Sequence, residues 1–124
     1  MTSNKEINQL YTEFKQCQKT LTALGDEVRQ HIILEMMSFP HDCGGECKGL
    51  RVGEIASKTN LSRPAVSHHI QILKNAGILK MRREGTKNYY YFDTDVLAID
   101  QLISMLNHTK NIMATLPDRS GEND

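Results

Sequence analysis

The sequence predicts a mostly helical fold with one small β-hairpin in its second half, and two patterns carry that prediction. Over most of the chain, apolar residues recur at spacings of three and four, which is the period of an amphipathic α-helix. Between 78 and 92 that period gives way to two β-prone runs, separated by the tetrapeptide Glu84-Gly85-Thr86-Lys87. A chain of 124 residues is long enough for one domain.

The first predicted helix carries an apolar seam with heptad-like spacing and ends at Gly25. The seam consists of Ile7, Leu10, Phe14, Cys17, Leu21 and Leu24. Such a helix packs either on a partner subunit or on the core of its own domain. Asp26 is the expected N-cap of a second helix, which ends at Phe39-Pro40. The inward residues of this second helix are predicted to be Val28, Ile32, Ile33 and Met36. The glycine-rich segment 41–49 is predicted to be a loop.

Two short helices follow, separated by the tight connection Asn60-Leu61-Ser62. The first ends near Thr59. Ser62 is the expected N-cap of the second, and Pro64 lies in its first turn, where the missing N–H breaks no hydrogen bond. The second helix has an apolar side, formed by Val66, Ile70, Leu73 and Gly77, and a polar side, formed by His68, Gln71 and Asn75 with Ser67 and Lys74 on its flanks.

After the hairpin, Asp93 or Thr94 is the expected N-cap of a last helix. The apolar positions of that helix include Leu97, Ile99, Leu102, Ile103, Leu106 and Met113. Beyond it, the polar tail from Pro117 is predicted to be disordered. The predicted fold class is therefore mostly α with a small β-hairpin wing, a winged helix-turn-helix with the order α-α-α-α-β-β-α.

The charge distribution singles out the segment that holds the helix-turn-helix and the hairpin. The whole chain is neutral, with 15 basic and 15 acidic residues. Between Lys48 and Phe92, however, there are nine basic and two acidic residues, a net charge of +7 that the rest of the chain balances. A strongly basic segment in a neutral protein is typical of phosphate binding, although a solvated basic surface has the same composition.

The polar side of the second short helix offers the residue types that read DNA. The major groove admits one α-helix, and amide, imidazole and small side chains bind base edges there while Arg and Lys bind phosphates. The candidates on this helix and at its start are Ser62, Arg63, Ser67, His68, Gln71 and Lys74. The candidates on the hairpin, expected to reach a phosphate or the minor groove, are Arg82, Arg83, Lys87 and Asn88. The neighbouring His69 is predicted to be a partly buried packing residue.

Three stretches of the sequence together resemble the ArsR/SmtB family of winged-helix repressors. They are LGDEVR at 24–29, VGEIA at 52–56 and LSRPAVSHHIQILKNAGIL at 61–79. The resemblance implies a homodimer joined through its first and last helices and bound to an inverted-repeat operator. It also implies a repressor that leaves DNA when an inducer, often a metal ion, binds. The chain would then divide into a dimerisation helix at 1–24, a DNA-binding domain at 25–93, a second dimerisation helix at 94–116 and a disordered tail at 117–124.

Two metal sites that the resemblance brings into question are not matched by this sequence. A Cys-x-Cys pair in the first short helix is absent from the segment Leu50–Ala56. Of four ligands expected at the last helix, Asp95 and His108 match, whereas Leu97 and Asn111 stand at the other two positions.

The remaining candidate sensor is the loop that holds His41, Cys43 and Cys47. A Cys-x3-Cys pair can place two thiolates on one soft metal ion such as zinc, and Cys17 is a further ligand if the first helix packs over the loop. Alternatively, Cys43 and Cys47 form a reversible disulfide. In a third interpretation both are incidental surface thiols, and Cys17 is a core residue.

The sequence therefore predicts a sequence-specific transcriptional regulator, a repressor released by a metal ion or by thiol oxidation. We expect it in the cytoplasm, because no run approaches the roughly 18 apolar residues of a membrane span and Met1–Gln9 lacks the apolar region of a signal peptide. The alternative is a winged-helix module for protein–protein or architectural contacts, without an inducer. An enzyme is not expected, because no nucleophile–base pair, phosphate loop or carboxylate cluster stands out.

Overall fold

The computed structural model of the protein describes residues 3–39, 49–93 and 95–121. In chain order, the helices and strands are α1 (Asn4–Gln16), α2 (Gln18–Leu24), α3 (Glu27–Ser38), α4 (Val52–Thr59), α5 (Arg63–Asn75), β1 (Leu79–Glu84), β2 (Lys87–Phe92) and α6 (Leu97–Ala114). The predicted fold class is confirmed, since helices dominate and β1 pairs with β2 as an antiparallel hairpin. The helix-turn-helix consists of α4 and α5, and the hairpin is the wing beside it.

The predicted N-terminal helix is interrupted at Cys17, so that one expected element is two. Cys17 has φ −92° and ψ 3°, the bridge region between helical and extended backbone. Hydrogen bonds from Cys17 N to the Glu13 carbonyl at 3.0 Å and from Leu21 N to the Cys17 carbonyl at 2.9 Å still cross the break. The apolar spacing gave no sign of it, because the spacing is the same on both sides of the break.

The hydrophobic core lies between α3, α4, α5 and the hairpin. Its most deeply buried side chains are Ile32, Ile55, Val66, Ile70, Leu73 and Leu79. A bridge between Leu50 and Tyr90, with both N–O distances 2.8 Å, attaches the segment before α4 to the middle of β2. Asn60 makes the turn of the helix-turn-helix, since it ends α4 with a left-handed φ of 58°, a conformation that Asn tolerates better than most residues. Leu61 then packs against the core, as expected.

The start of α3 follows the prediction, but its buried side does not. The Asp26 carboxylate accepts the Arg29 N–H at 3.0 Å, which confirms the predicted cap. Ile32 and Met36 are buried as expected, whereas Val28 is exposed and Arg29 is buried. An arginine takes an inward position here because its guanidinium finds acceptors there, as described below.

The end of the wing and the start of α6 differ from the sequence prediction. Pairing extends to Glu84 and Lys87, which shortens the expected tip to Gly85-Thr86. The expected cap at Asp93 is wrong, because α6 begins at Leu97 with Val96 at the N-cap position and without a side-chain cap bond. The Asp93 carboxylate instead lies 2.8 Å from Lys80 Nζ and raises the pKa of that lysine, so it joins β1 to the segment before α6. Thr94 lies outside the described residues.

None of the helices in the described ranges is long and apolar enough to cross a membrane. After α6, residues 117–121 are exposed and form neither helix nor strand, and 122–124 lie outside the described residues.

Candidate nucleic-acid interface

Local capping and core packing together leave one side of α5 open to solvent. Ser62 Oγ accepts the Ala65 N–H at 3.2 Å, which confirms the predicted cap, and a proline occupies the first turn. The side chains of Val66, Ile70 and Leu73 are buried in the core. Because these three positions fix the rotation of the helix, the opposite side is held facing outward.

The predicted base-reading residues share that outward side. Ser67, His68 and Gln71 are all exposed, and Lys74 is half-buried at the end of the helix. The Gln71 amide donates to Asn75 Oδ1 at 3.4 Å, which orients two exposed amides along one side of the helix. Imidazole and amide groups on an open helix face have the donors and acceptors that base edges require.

Arg63 is exposed, and its guanidinium borders a cleft between α4 and α5 that the sequence did not reveal. Its guanidinium lies against Gly53, where an added Cβ would come within 2.9 Å of Nη2. The cleft has a volume of about 520 Å³, and its charged lining residues are Arg51, Glu54, Lys58 and Arg63. Three cations beside one carboxylate make this cleft suited to an anion. The spacing of seven from Arg51, the N-cap of α4, to Lys58 indicates that both lie on one side of this helix, but it does not place Arg63 beside them.

The basic side chains of the wing are exposed, and the two arginines among them make contacts within the hairpin. Arg82, Arg83, Lys87 and Asn88 are all exposed, as predicted, and Arg83 lies directly across the ladder from Asn88. Arg83 Nε donates to the Gly85 carbonyl at 3.1 Å, and Arg82 Nε lies 3.7 Å from Glu84 Oε1. These contacts hold both guanidinium groups near the tip of the hairpin.

Behind α5, the buried Arg29 joins three elements through its guanidinium group. It donates Nε to the Ala23 carbonyl at 2.9 Å and Nη2 to the Thr22 carbonyl at 2.9 Å, and Nη1 lies 3.2 Å from His69 Nδ1. His69 is half-buried, as predicted, and burial is the main cause that lowers its pKa. The backbone N–H of Arg29 lowers the pKa of Asp26 through the cap hydrogen bond.

The residues considered as metal or redox ligands are dispersed. Cys17 is a free, buried thiol, while His41, Cys43 and Cys47 lie outside the described residues. His108 Nδ1 lies 2.7 Å from Glu13 Oε1, so it is engaged within the chain. Within the described ranges, His, Cys, Asp and Glu side chains nowhere gather in a group of three or more that could hold a metal ion.

The outer helix layer, α1 and α6, buries Met105 and Ile112 of α6 but leaves many of its other large apolar side chains exposed. Between the two helices lies a cleft of about 320 Å³ lined mostly by polar residues, namely Gln9, Glu13, Gln16, Cys17, Gln101, Ser104 and His108. On the outside, the spacing i, i+3, i+4 and i+7 places Ile7, Leu10, Tyr11 and Phe14 on one stripe of α1. A similar stripe of α6 consists of Ile99, Leu102, Ile103, Leu106 and Met113. Tyr11 is 74% exposed and Met113 64% exposed, whereas Ile7 and Leu102 are half-buried, so these stripes are partly uncovered in the single chain.

Comparisons with known proteins point to one family. Residues 46–80 match the description "bacterial regulatory protein, arsR family". The chain is 35% identical over 95 residues to the HTH-type transcriptional regulator MJ1325 of Methanocaldococcus jannaschii, an alignment that covers 76% of this chain and 98% of that protein. It is 33% identical over 91 residues to the transcriptional repressor SdpR of Bacillus subtilis, covering 72% of this chain and 91% of that protein.

Two solved structures show the same fold at lower identity. The ArsR family transcriptional regulator RHA00566 has a TM-score of 0.63 at 16% identity, covering 83% of this chain and 95% of that chain. The homodimeric winged helix-turn-helix DNA-binding domain of Mb0332 from Mycobacterium bovis has a TM-score of 0.52 at 22% identity, covering 94% of this chain and 93% of that chain. Both likenesses agree with the arrangement of helices and hairpin described above.

Proposed function

We propose that this chain, which belongs to the arsR family of bacterial regulatory proteins, is a repressor that binds an inverted-repeat operator as a homodimer. Winged-helix DNA binding and transcriptional regulation are the activity of the family, which is one of regulators and not of enzymes. Repression, the operator symmetry and the dimer are the parts that the proposal adds. A regulator of this kind acts where the chromosome is, which in a prokaryotic cell is the cytoplasm.

The observation that carries the DNA-reading part is the exposed polar side of α5. His68 and Gln71 project from a helix whose start is fixed by Ser62 and whose rotation is fixed by the core. A rigid helix with exposed imidazole and amide groups is the arrangement that enters the major groove. We assign base contacts to Ser67, His68 and Gln71.

The basic cleft between α4 and α5 supports a phosphate contact beside that helix. Arg51, Lys58 and Arg63 line it, at the place where the first helix of a helix-turn-helix crosses the DNA backbone. The wing arginines, Arg82 and Arg83, lie on a separate element and are assigned to a second stretch of backbone or to the adjacent minor groove. Two groups of cations on either side of the reading helix would fix its register on DNA.

The dimer part of the proposal is supported by the uncovered apolar stripes of the outer helix layer. Leu97, Ile103, Leu106 and Met113 of α6 are each at least half exposed, from 51% to 67%. Apolar patches of this kind mark interfaces with other proteins. A homodimeric domain is also among the structures with the same fold. Because a twofold dimer presents two copies of α5, it matches an inverted repeat.

The test is operator binding by variants of α5 and of the cleft, on a sequence that the wild-type protein selects from random DNA. Replacing His68 or Gln71 with Ala should weaken selected DNA about tenfold to a hundredfold and leave random DNA unchanged, since these side chains read bases. Replacing Arg51 or Lys58 with Ala should weaken both DNAs alike and reduce the slope of log affinity against log salt by about one.

Matched controls are Gln18→Ala and Lys5→Ala, because both side chains are exposed on helices away from the reading face. Neither should change affinity or salt slope. A wild-type protein that selects no sequence, or His68→Ala and Gln71→Ala variants that bind selected DNA normally, would overturn the assignment.

The effector is addressed by elemental analysis and thiol counting on protein purified without oxygen. Bound metal with Cys43 and Cys47 protected supports a metal sensor, and a reversible Cys43–Cys47 disulfide supports a redox sensor. Because Cys17 is buried, reactive Cys43 and Cys47 without metal support the interpretation that the cysteines are incidental.

A further inference from the structure

Arg29 is buried although it is charged, because α2 ends beside it with open carbonyl groups. Its side chain points into the space between α2 and α5, and the residue is 8% exposed. Nε and Nη2 donate to the carbonyls of Ala23 and Thr22, each at 2.9 Å. The last carbonyls of a helix have no partner within the helix, and a cation is favourable at that end. Two of the guanidinium donors therefore close the end of α2.

A third donor reaches the reading helix. Nη1 lies 3.2 Å from Nδ1 of His69, in the middle of α5. A guanidinium group can only donate, so the His69 Nδ1 atom must accept and carry no hydrogen. The ring is then neutral, with its hydrogen on Nε2. Nε2 has no hydrogen-bond partner in the part of the chain that the structure describes. Among the described residues, every buried side-chain nitrogen or oxygen has a partner, so Nε2 is not buried and reaches solvent.

The charges around His69 agree with a neutral ring. Its pKa lies below the ordinary value of 6.5, because of burial first and then because of the positive charges of Arg29 and His68. Asp26, the remaining charged group facing the ring, opposes this shift. A protonated ring would lose the hydrogen bond from Arg29 and would stand against its positive charge.

The position of His69 is passed on to a residue of the reading face. The rings of His68 and His69 lie edge to face, with centroids 5.3 Å apart and an angle of 63° between the planes. Holding His69 therefore restricts the rotamers of His68, the exposed imidazole assigned to base contact. The same guanidinium group fixes α2, which contacts both α5 and α6.

We infer that Arg29 is a positioning residue for DNA recognition, because it holds the neutral His69 ring and the end of α2 in one fork and thereby sets the orientation of α5 and of His68. The inference rests on the proposed function, since it concerns operator binding. It assigns a role in recognition to a buried arginine and a half-buried histidine behind the exposed side of α5.

The first test is a double-mutant cycle on operator affinity, with the protein fully folded. His69→Leu removes the acceptor and should weaken the operator about tenfold while leaving random DNA unchanged. His69→Gln keeps an acceptor at the same place and should restore most of the affinity. Arg29→Lys keeps the positive charge but removes the forked guanidinium group. The double variant Arg29→Lys/His69→Leu should lose no more operator affinity than the weaker-binding of the two single variants. Losses that add, or folded variants with wild-type affinity, would overturn the inference.

The second test reads the ring directly and does not need DNA. Nitrogen-15 NMR of the free protein should show His69 as the neutral tautomer with its hydrogen on Nε2, and Arg29→Lys should turn it into a mixture. A hydrogen on Nδ1 in the wild type would contradict the inference, whatever the protein binds. If the NMR result holds and no operator is found, the proposed function fails and the Arg29–His69 contact stands.

A pH profile separates positioning from mere structural support. Folding lowers the pKa of His69, so below pH 6.5 the folded protein binds fewer protons than the unfolded chain. The hydrogen bond between Arg29 and the neutral His69 ring is therefore retained above that pH and lost as the pH falls further. Operator affinity relative to that of His69→Gln should be constant above pH 6.5 and fall as the pH is lowered further. His31→Gln, at an exposed histidine of α3, is the matched control and should leave the profile unchanged. A ratio that stays constant down to a pH at which NMR shows the His69 ring to be protonated would refute the role of the neutral ring.

Discussion

The reading unit, from α3 to the end of β2, and the outer helix layer differ in how much of their apolar surface they bury. In the reading unit the core is apolar. In the outer layer the seam between the helices holds the Glu13–His108 pair, and the buried residues of α6 are Met105 and Ile112. Tyr11, Phe14, Ile103, Leu106 and Met113 of that layer are exposed.

The difference indicates which part of the molecule is complete in a single chain. Burial of apolar side chains is the main source of folding free energy, so the reading unit is stabilised by its own contacts. The outer layer leaves much of its apolar surface in water, and covering it by a second copy would supply the missing free energy. Three sets of substitutions test this difference between the two regions.

The largest effect is expected from charges on the stripe of α6. Ile103→Glu combined with Leu106→Glu should convert the protein to a monomer in sedimentation or light scattering. It should also weaken operator binding about a hundredfold, because two linked reading helices bind far more tightly than one. Circular dichroism should show the helices retained.

Leu34→Glu is the matched control for that change, because Leu34 is 64% exposed on α3 and lies outside the stripes. It should alter neither mass nor affinity. A wild-type protein that is monomeric at micromolar concentration, or a dimer that survives both charges, would remove the contrast between the two regions.

A smaller effect, confined to the reading unit, is expected at Gly49. Its φ is +101°, and an added Cβ would lie 2.5 Å from the Tyr90 carbonyl oxygen, a backbone atom that is held in the bridge to Leu50. Gly49→Ala should reduce the free energy of unfolding by about 3 kcal/mol in a denaturant titration.

Gly85→Ala provides the comparison, since φ there is +62° and an added Cβ would meet nothing within 4 Å. It should lower the free energy of unfolding by only about 1 kcal/mol, the cost of a left-handed conformation. Equal losses at the two glycines would show that the contact with Tyr90 does not constrain the backbone.

The smallest effect is expected in the polar seam. Glu13→Gln removes the charge beside His108, whose side chain is 22% exposed, compared with 19% for that of Glu13. Partly hydrated ion pairs contribute little to stability, so the free energy of unfolding should fall by about 1 kcal/mol or less. The mass of the assembly in sedimentation or light scattering should be unchanged. Gln18→Glu, outside the seam, is a control for the change of charge type. A loss of several kcal/mol would mean that the seam, and not the stripes, holds the layer together.

Much of the reading unit could be predicted from sequence because its signals are local. Ser62 and Pro64 define the start of α5, and the glycine of the tip marks the hairpin. Arg29 could not be placed in this way, because the carbonyls that accept its hydrogen bonds belong to the end of another helix. Asp93 has the residue type of a cap, but a lysine on β1 attracts it more strongly.

Part of the candidate site was also predictable from the sequence. The exposed residues of α5 and of the wing follow from periodicity, which fixes the side of an element on which a residue lies. The cleft around Arg51 and Lys58 depends on how α4 and α5 cross, and periodicity within one helix does not contain that angle. The outer layer was also only half predicted, since its apolar spacing was visible and the polar contact between Glu13 and His108 was not.

The bond from Arg83 Nε to the Gly85 carbonyl bears on the entropy of DNA binding. A long side chain that is free in solution loses about 0.5–1.5 kcal/mol of conformational freedom when a partner immobilises it. The side chain of Arg83 is already restrained in the free protein. The hydrogen bond that restrains it uses only Nε, so the two terminal nitrogens can still donate to phosphate oxygens. Part of the ordering that DNA would otherwise impose on the wing is thus completed during folding.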